Sequence, residues 1–155
     1  MAKPSRSARR RETAGVGLTL PDALAQLSFA VHGAIMRVAD VHDLSLVQVR
    51  LLGVLRDREP GMFAVAAHLN LDKSSVTGLV DRAERRGLVR RTTALEDRRT
   101  VRVALTARGR LLTRRVAKEI EGELARLVEG LSATHRRSLS RIAGHVVDVD
   151  ARRRG

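Results

Sequence analysis

The sequence predicts a mainly α-helical fold: a winged helix-turn-helix, with N- and C-terminal helices forming a dimerisation domain. Three observations predict it. Residues 72–106 begin with helical spacing and end with strand alternation around a charged tip. A short apolar-periodic segment lies just before them, joined by the tight Asn70-Leu71-Asp72 turn. Long segments with full apolar stripes flank this centre on both sides.

Taken in order, residues 1–17 form a basic tail with Lys3, Arg6, Arg9, Arg10 and Arg11, little apolar content and no period. Such a composition predicts disorder. Either it is a solvated tail, or it is an arm that tracks phosphates or a minor groove. Pro21, at an N1-like position, starts the first long helix. Leu20, Leu24, Leu27, Val31, Ile35 and Val38 follow steps of three and four, thickened by Phe29, Ala30, Ala34 and Met36. One face reads as core and part of the rest as a subunit interface. Ser45-Leu46-Val47-Gln48 is a capping box opening a second helix, expected to run to about Arg58 before Pro60-Gly61 stops it. Met62 to Leu69 is a short helix with Val65, Ala66 and Leu69 inward.

Asp72 is the expected N-cap of the next helix, because its carboxylate can accept from exposed backbone N–H groups. Val76, Leu79, Val80 and Ala83 face the core, and Gly87 stands where a left-handed residue ends a helix. Residues 88–92 and 101–105 then alternate as strands. Val101, Val103 and Leu105 lie on one face, Arg102 and Ala104 on the other. Between them lies the tip Glu96-Asp97-Arg98-Arg99. Thr106 caps a long helix with the stripe Leu112, Val116, Ile120, Leu124 and Leu127, ended by Gly130. Ser132 caps a last helix with Leu139, Ile142, Val146 and Val149, followed by a frayed basic end at residues 151–155. The terminal helices need something to bury their stripes, and a second copy related by a two-fold axis is the economical answer. The division expected is a tail at 1–17, dimerisation helices at 18–43 and 107–150, and a DNA-binding unit at 44–106.

Composition narrows the function. The 155 residues carry a formal net charge of +13, which suits an anionic partner. Arginine greatly outnumbers lysine, as a GC-rich genome would produce; that accounts for the choice of cation but not for the excess over Asp and Glu. There is no cysteine, so disulfides, thiolate metal sites and thiol switches are excluded. Phe29 and Phe63 are the whole aromatic content, which leaves little for base stacking and favours a duplex over single strands. No apolar run approaches a membrane span, and the apolar stretch after the arginines is too short for a signal segment, so a cytoplasmic protein is expected. His32, His42, His68, His135 and His145 stand far apart, so no metal and no cofactor are expected. His68 is expected on the helix-turn-helix surface. Without a glycine-rich phosphate loop, a cysteine or a His-bearing motif, no enzyme is expected.

Residues 44–55 (LSLVQVRLLGVL), 65–89 (VAAHLNLDKSSVTGLVDRAERRGLV) and 96–109 (EDRRTVRVALTARG) resemble the MarR family of winged helix-turn-helix transcriptional regulators. The Asp-Arg-Arg tip followed by Leu-Thr-x-x-Gly is the most specific of these strings. The resemblance covers about residues 20–149. It implies a homodimer on a pseudo-palindromic duplex, with a recognition helix in the major groove and a wing in the adjacent minor groove. Carried over by position, Ser74, Ser75, Thr77 and Arg82 contact bases and phosphates, and Lys73 lies at the helix entry. Arg98 and Arg99 are on the wing, with Arg99 entering the minor groove and Asp97 steadying the hairpin. Short hydroxyl side chains let a helix backbone approach a groove floor, and a guanidinium on a thin hairpin suits a narrow minor groove. The plainer alternatives are helix-start chemistry for Ser74 and Ser75 and a solvated hairpin tip for Arg98 and Arg99. The resemblance also implies a phenolic-type effector pocket between the first two helices and the base of the fifth. His32, Met36 and Arg50 are candidates to line it, or else ordinary core and interface residues. The leading function is a sequence-specific repressor released by a small ligand; the competing one is a sequence-indifferent architectural DNA-binding protein.

Overall fold

A computed structural model describes residues 17–93 and 101–154. The elements are α1 (Leu20–Val41), α2 (Leu46–Val54), α3 (Met62–Leu69), α4 (Lys73–Arg85), β1 (Val89–Thr93), β2 (Val101–Leu105), α5 (Ala107–Leu127) and α6 (Ala133–Arg154). The strands pair antiparallel with Val89 opposite Leu105 and Thr93 opposite Val101. Local chemistry sets most helix starts. Thr19, Ser45, Asp72 and Thr106 each accept a backbone N–H three residues on, and Ser45 with Gln48 completes the reciprocal capping box. Ser132 accepts from the His135 N–H in the same way. Asn70 ends α3 at φ 55° and Gly87 follows α4 at φ 67°, both left-handed.

The core sits where α2, α3, α4 and the ribbon meet. Leu51, Leu69, Leu79, Val65, Val76, Val80, Val89 and Val103 are its largest fully buried side chains. Packing of α1 on α5 continues it, through Val38, Ala39 and Val116. The stripe of α1 is divided. Ala34, Val38 and Ala39 are buried, whereas Leu20, Leu24, Leu27 and Phe29 stay exposed, Phe29 at 69%. In α6 no residue whose burial is described is buried, and Ile142 is 58% exposed.

Two local expectations, the ends of α2 and of α6, are corrected. Helix α2 ends at Val54, not near Arg58, because the following charged residues precede Pro60, which disfavours helix in the residue before it. The freed segment reaches the wing: the Pro60 carbonyl accepts from the Val103 N–H at 2.9 Å, and Gly61 bridges Arg102. Ala104 is buried as fully as Val103 and Leu105, since the base of the ribbon is covered on both faces. Helix α6 runs on to Arg154, through most of the expected frayed end at residues 151–155. Among the described residues no helix is long and apolar enough to cross a membrane.

Candidate nucleic-acid interface

The front of α4 is built around Asp72. Its Oδ1 accepts from the Ser75 N–H at 2.8 Å and from the Ser74 hydroxyl at 2.5 Å, and its Oδ2 accepts from the Ser75 hydroxyl at 2.6 Å. The Ser74 hydroxyl, then that of Ser75 and its backbone N–H, hold the carboxyl well below the usual carboxylate range. Both serine hydroxyls therefore donate to Asp72, which leaves their oxygens chiefly as acceptors. Thr77 likewise donates to the Lys73 carbonyl at 2.9 Å. The helix-start chemistry proposed for Ser74 and Ser75 is present, on an exposed helix face.

Lys73 stands at the entry, its Nζ 5.8 Å from the ring centroid of Phe63 on α3. Phe63 is 79% exposed on the helix-turn-helix surface. Its place on that surface follows from the packing of α3 and is not evident from spacing alone. Arg82 is exposed one turn beyond Gly78. Val47, Leu71, Ser74, Ser75, Gly78, Leu79 and Arg82 border an open recess of about 440 Å3.

Two further arginines, missed in the sequence, fix the orientation of α4. Arg86 donates to the carbonyls of Asp43 at 2.5 Å and His42 at 3.1 Å, tying the end of α4 to the α1–α2 turn. Arg91 on β1 donates to Glu84 Oε2 and, at 2.5 Å, to Asp81 Oδ1, while its backbone N–H donates to Glu84 Oε1 at 3.0 Å. The ribbon is thus clamped to α4. The available signal was an acidic pair at i, i+3 followed by Arg beyond a tight turn. The expected wing-tip residues Asp97, Arg98 and Arg99 lie outside the described residues.

The effector candidates do not converge. His32 is exposed, and Met36 packs half-buried on the core. Arg50 is exposed and reaches the His68 carbonyl at 3.5 Å. His68 itself is exposed on α3. An open apolar cleft of about 470 Å3 lies instead between α2 and α5, bordered chiefly by Val49, Leu52, Arg56, Val116, Ile120 and Leu124. Its residues were individually legible as helical stripe positions, but α2–α5 packing alone brings them together. Among the described residues no group of three or more His, Asp or Glu could hold a metal.

A capped helix with an exposed polar front, set behind a short helix and clamped to a two-stranded ribbon, defines a winged helix-turn-helix protein. Residues 42–100 match the model of the MarR family. The chain is similar to the uncharacterized HTH-type transcriptional regulator YfiV of Bacillus subtilis (strain 168), at 31% identity over 98 residues. That match covers 63% of this chain and spans 61% of the relative's length. Among solved structures it is similar to CouR from Rhodococcus jostii RHA1 bound to p-coumaroyl-CoA, with 26% identity, 86% and 95% of the two chains covered and a TM-score of 0.72. It is similar also to the transcriptional regulator PA4135, with 25% identity, coverage of 86% and 98%, and a TM-score of 0.71. The winged helix-turn-helix unit of this chain is thus similar to that of the MarR-family transcriptional regulators, whose model matches within it.

Proposed function

We propose that this chain is a sequence-specific DNA-binding repressor that acts as a homodimer on a pseudo-palindromic duplex and is released by a small phenolic-type ligand. The observation that carries this reading is the exposed front of α4, joined by Arg91 to a ribbon of fixed register. In this reading Lys73, Ser74, Ser75, Thr77 and Arg82 meet the major groove, and Asp97, Arg98 and Arg99 serve the wing. Residues 44–106 form the DNA-binding unit, and residues 18–43 and 107–150 the dimerisation helices. The exposed apolar faces of α1 and α6 support a second copy as their cover. The apolar α2–α5 cleft, with Arg56 and Glu121 at its border, suits an apolar ring bearing a polar group. CouR, seen with p-coumaroyl-CoA, lends the ligand class its plausibility.

Sequencing of genomic fragments retained by the purified protein, followed by footprinting, tests the proposal. A protected site with inverted symmetry is expected. The competing reading, an architectural binder driven by the net charge of +13, predicts equal affinity for selected and random duplexes and one shared salt slope. Equal binding in a competition titration at one salt concentration rejects the proposal in its favour.

A further inference from the structure

Gly78 sits in the middle of α4, where glycine weakens a helix relative to alanine. The fold does not require it. Its φ is not left-handed, and a Cβ built there meets only the flexible end of Arg82, Nη1 at 3.3 Å. Gly109 is different, since its Cβ would lie 1.9 Å from the Leu88 carbonyl oxygen. Gly78 shares the exposed face of α4 with Ser74, Ser75 and Arg82, three and four residues away. The missing side chain opens the recess whose apolar wall is Val47, Leu71 and Leu79. At its polar edge the Ser74 and Ser75 protons are committed to Asp72, which leaves Arg82 as the side-chain donor bordering an otherwise apolar wall.

Among the groups that base pairs present in the major groove, the thymine 5-methyl is the apolar one. We propose that Gly78 is a specificity-determining residue: its bare backbone and the apolar wall behind it seat the methyl of one thymine in each half-site. The inference rests on the chain being a sequence-specific DNA-binding protein, and deepens it by naming the feature read.

The test has two stages. Wild-type protein is first used to select sites from a random duplex pool; enrichment of no sequence rejects the parent reading and this proposal with it. With a selected site in hand, each thymine is replaced in turn by deoxyuridine, and Gly78→Ala is measured on the same duplexes. One thymine position per half-site is expected to lose roughly fourfold in affinity for wild type, the worth of one buried methyl. Gly78→Ala is expected to unfold at the same or a higher temperature, bind the selected duplex more weakly, and be indifferent to deoxyuridine at that position. Its affinity for random duplex is expected to be unchanged. If selected sites are found but no thymine methyl matters, or if Gly78→Ala remains as methyl-sensitive as wild type, the proposal is overturned. Equal loss on selected and random duplexes overturns it as well.

Discussion

Arg91 ties the ribbon to α4, and its removal is the sharpest test of how the proposed interface is assembled. Arg91→Met keeps the aliphatic stem and deletes the guanidinium. Two ion-paired hydrogen bonds go, to Asp81 and Glu84, while the backbone N–H bond to Glu84 remains. The side chains are 29%, 48% and 38% exposed for Arg91, Asp81 and Glu84, so solvent screens both pairs. Exposed pairs contribute about 0.2–1 kcal/mol each, and one guanidinium serving two carboxylates places the joint loss at about 1–2 kcal/mol. For a chain of this length that lowers Tm by roughly 2–8 °C. DNA affinity is expected to fall further, by roughly tenfold, or about 1.4 kcal/mol. Two carboxylates on α4 lose their counter-charge beside the phosphates, and the ribbon loses its fixed angle. Urea titration measures the first effect, and fluorescence anisotropy on a selected duplex at fixed salt the second. In an Asp81→Asn, Glu84→Gln background, Arg91→Met is expected to add little to either. Normal DNA affinity in a destabilised Arg91→Met protein would refute the positioning role and leave only a structural one.

Other consequences are local. Gly109→Ala drives a methyl against the Leu88 carbonyl oxygen and Leu105, and is expected to destabilise by about 2–4 kcal/mol in urea titration; Gly122→Ala, with open space around it, is expected to gain up to about 1 kcal/mol. The Asp72 carboxyl is held below its ordinary value of 3.8 in the folded state, so its contribution is present above about pH 4 and is lost as pH falls below that value. Asp72→Asn is therefore expected to flatten the acid limb of urea midpoints measured against pH, and an unchanged limb counts against the cap. Ile142→Glu in the exposed stripe of α6 is expected to yield monomers in sedimentation and to abolish footprinting at dilute protein; an intact dimer removes α6 from the interface.

Capping was legible because it is local. Asp72, Ser45 with Gln48, Thr106 and Ser132 each act within three residues, so their spacing in the chain carried the information. Gly87 was legible for the same reason. Features made by distant segments were not. The stop of α2 at Val54 serves a bridge from Gly61 to Arg102, forty-one positions on. Ala104 alternates correctly but lies at the ribbon base, where both faces are covered. Arg50 carried no sign that it would reach the His68 carbonyl on α3, and the cleft between α2 and α5 exists only once those helices pack. Ser74 and Ser75 were legible as helix-start residues; the use of their hydroxyls on Asp72 needed coordinates.

Helix α2 connects the two halves of the proposed mechanism. Its Val49, Leu52 and Arg56 border the α2–α5 cleft, while its Val47 borders the recess against α4. The far end of α4 is pinned by Arg86 to the α1–α2 turn, and His42 in that turn meets Glu119 of α5 at 2.7 Å. A ligand that wedges α2 from α5 therefore acts on a helix already held at its other side, and the displacement falls on the Val47–α4 contact. Binding linkage then demands reciprocity: whatever factor the ligand removes from DNA affinity, DNA must remove from ligand affinity. Titrating the ligand into free protein and into the protein–DNA complex measures both factors. Equal ligand affinity in the two titrations would show that the cleft and the α4 front are not coupled, whatever the ligand occupies.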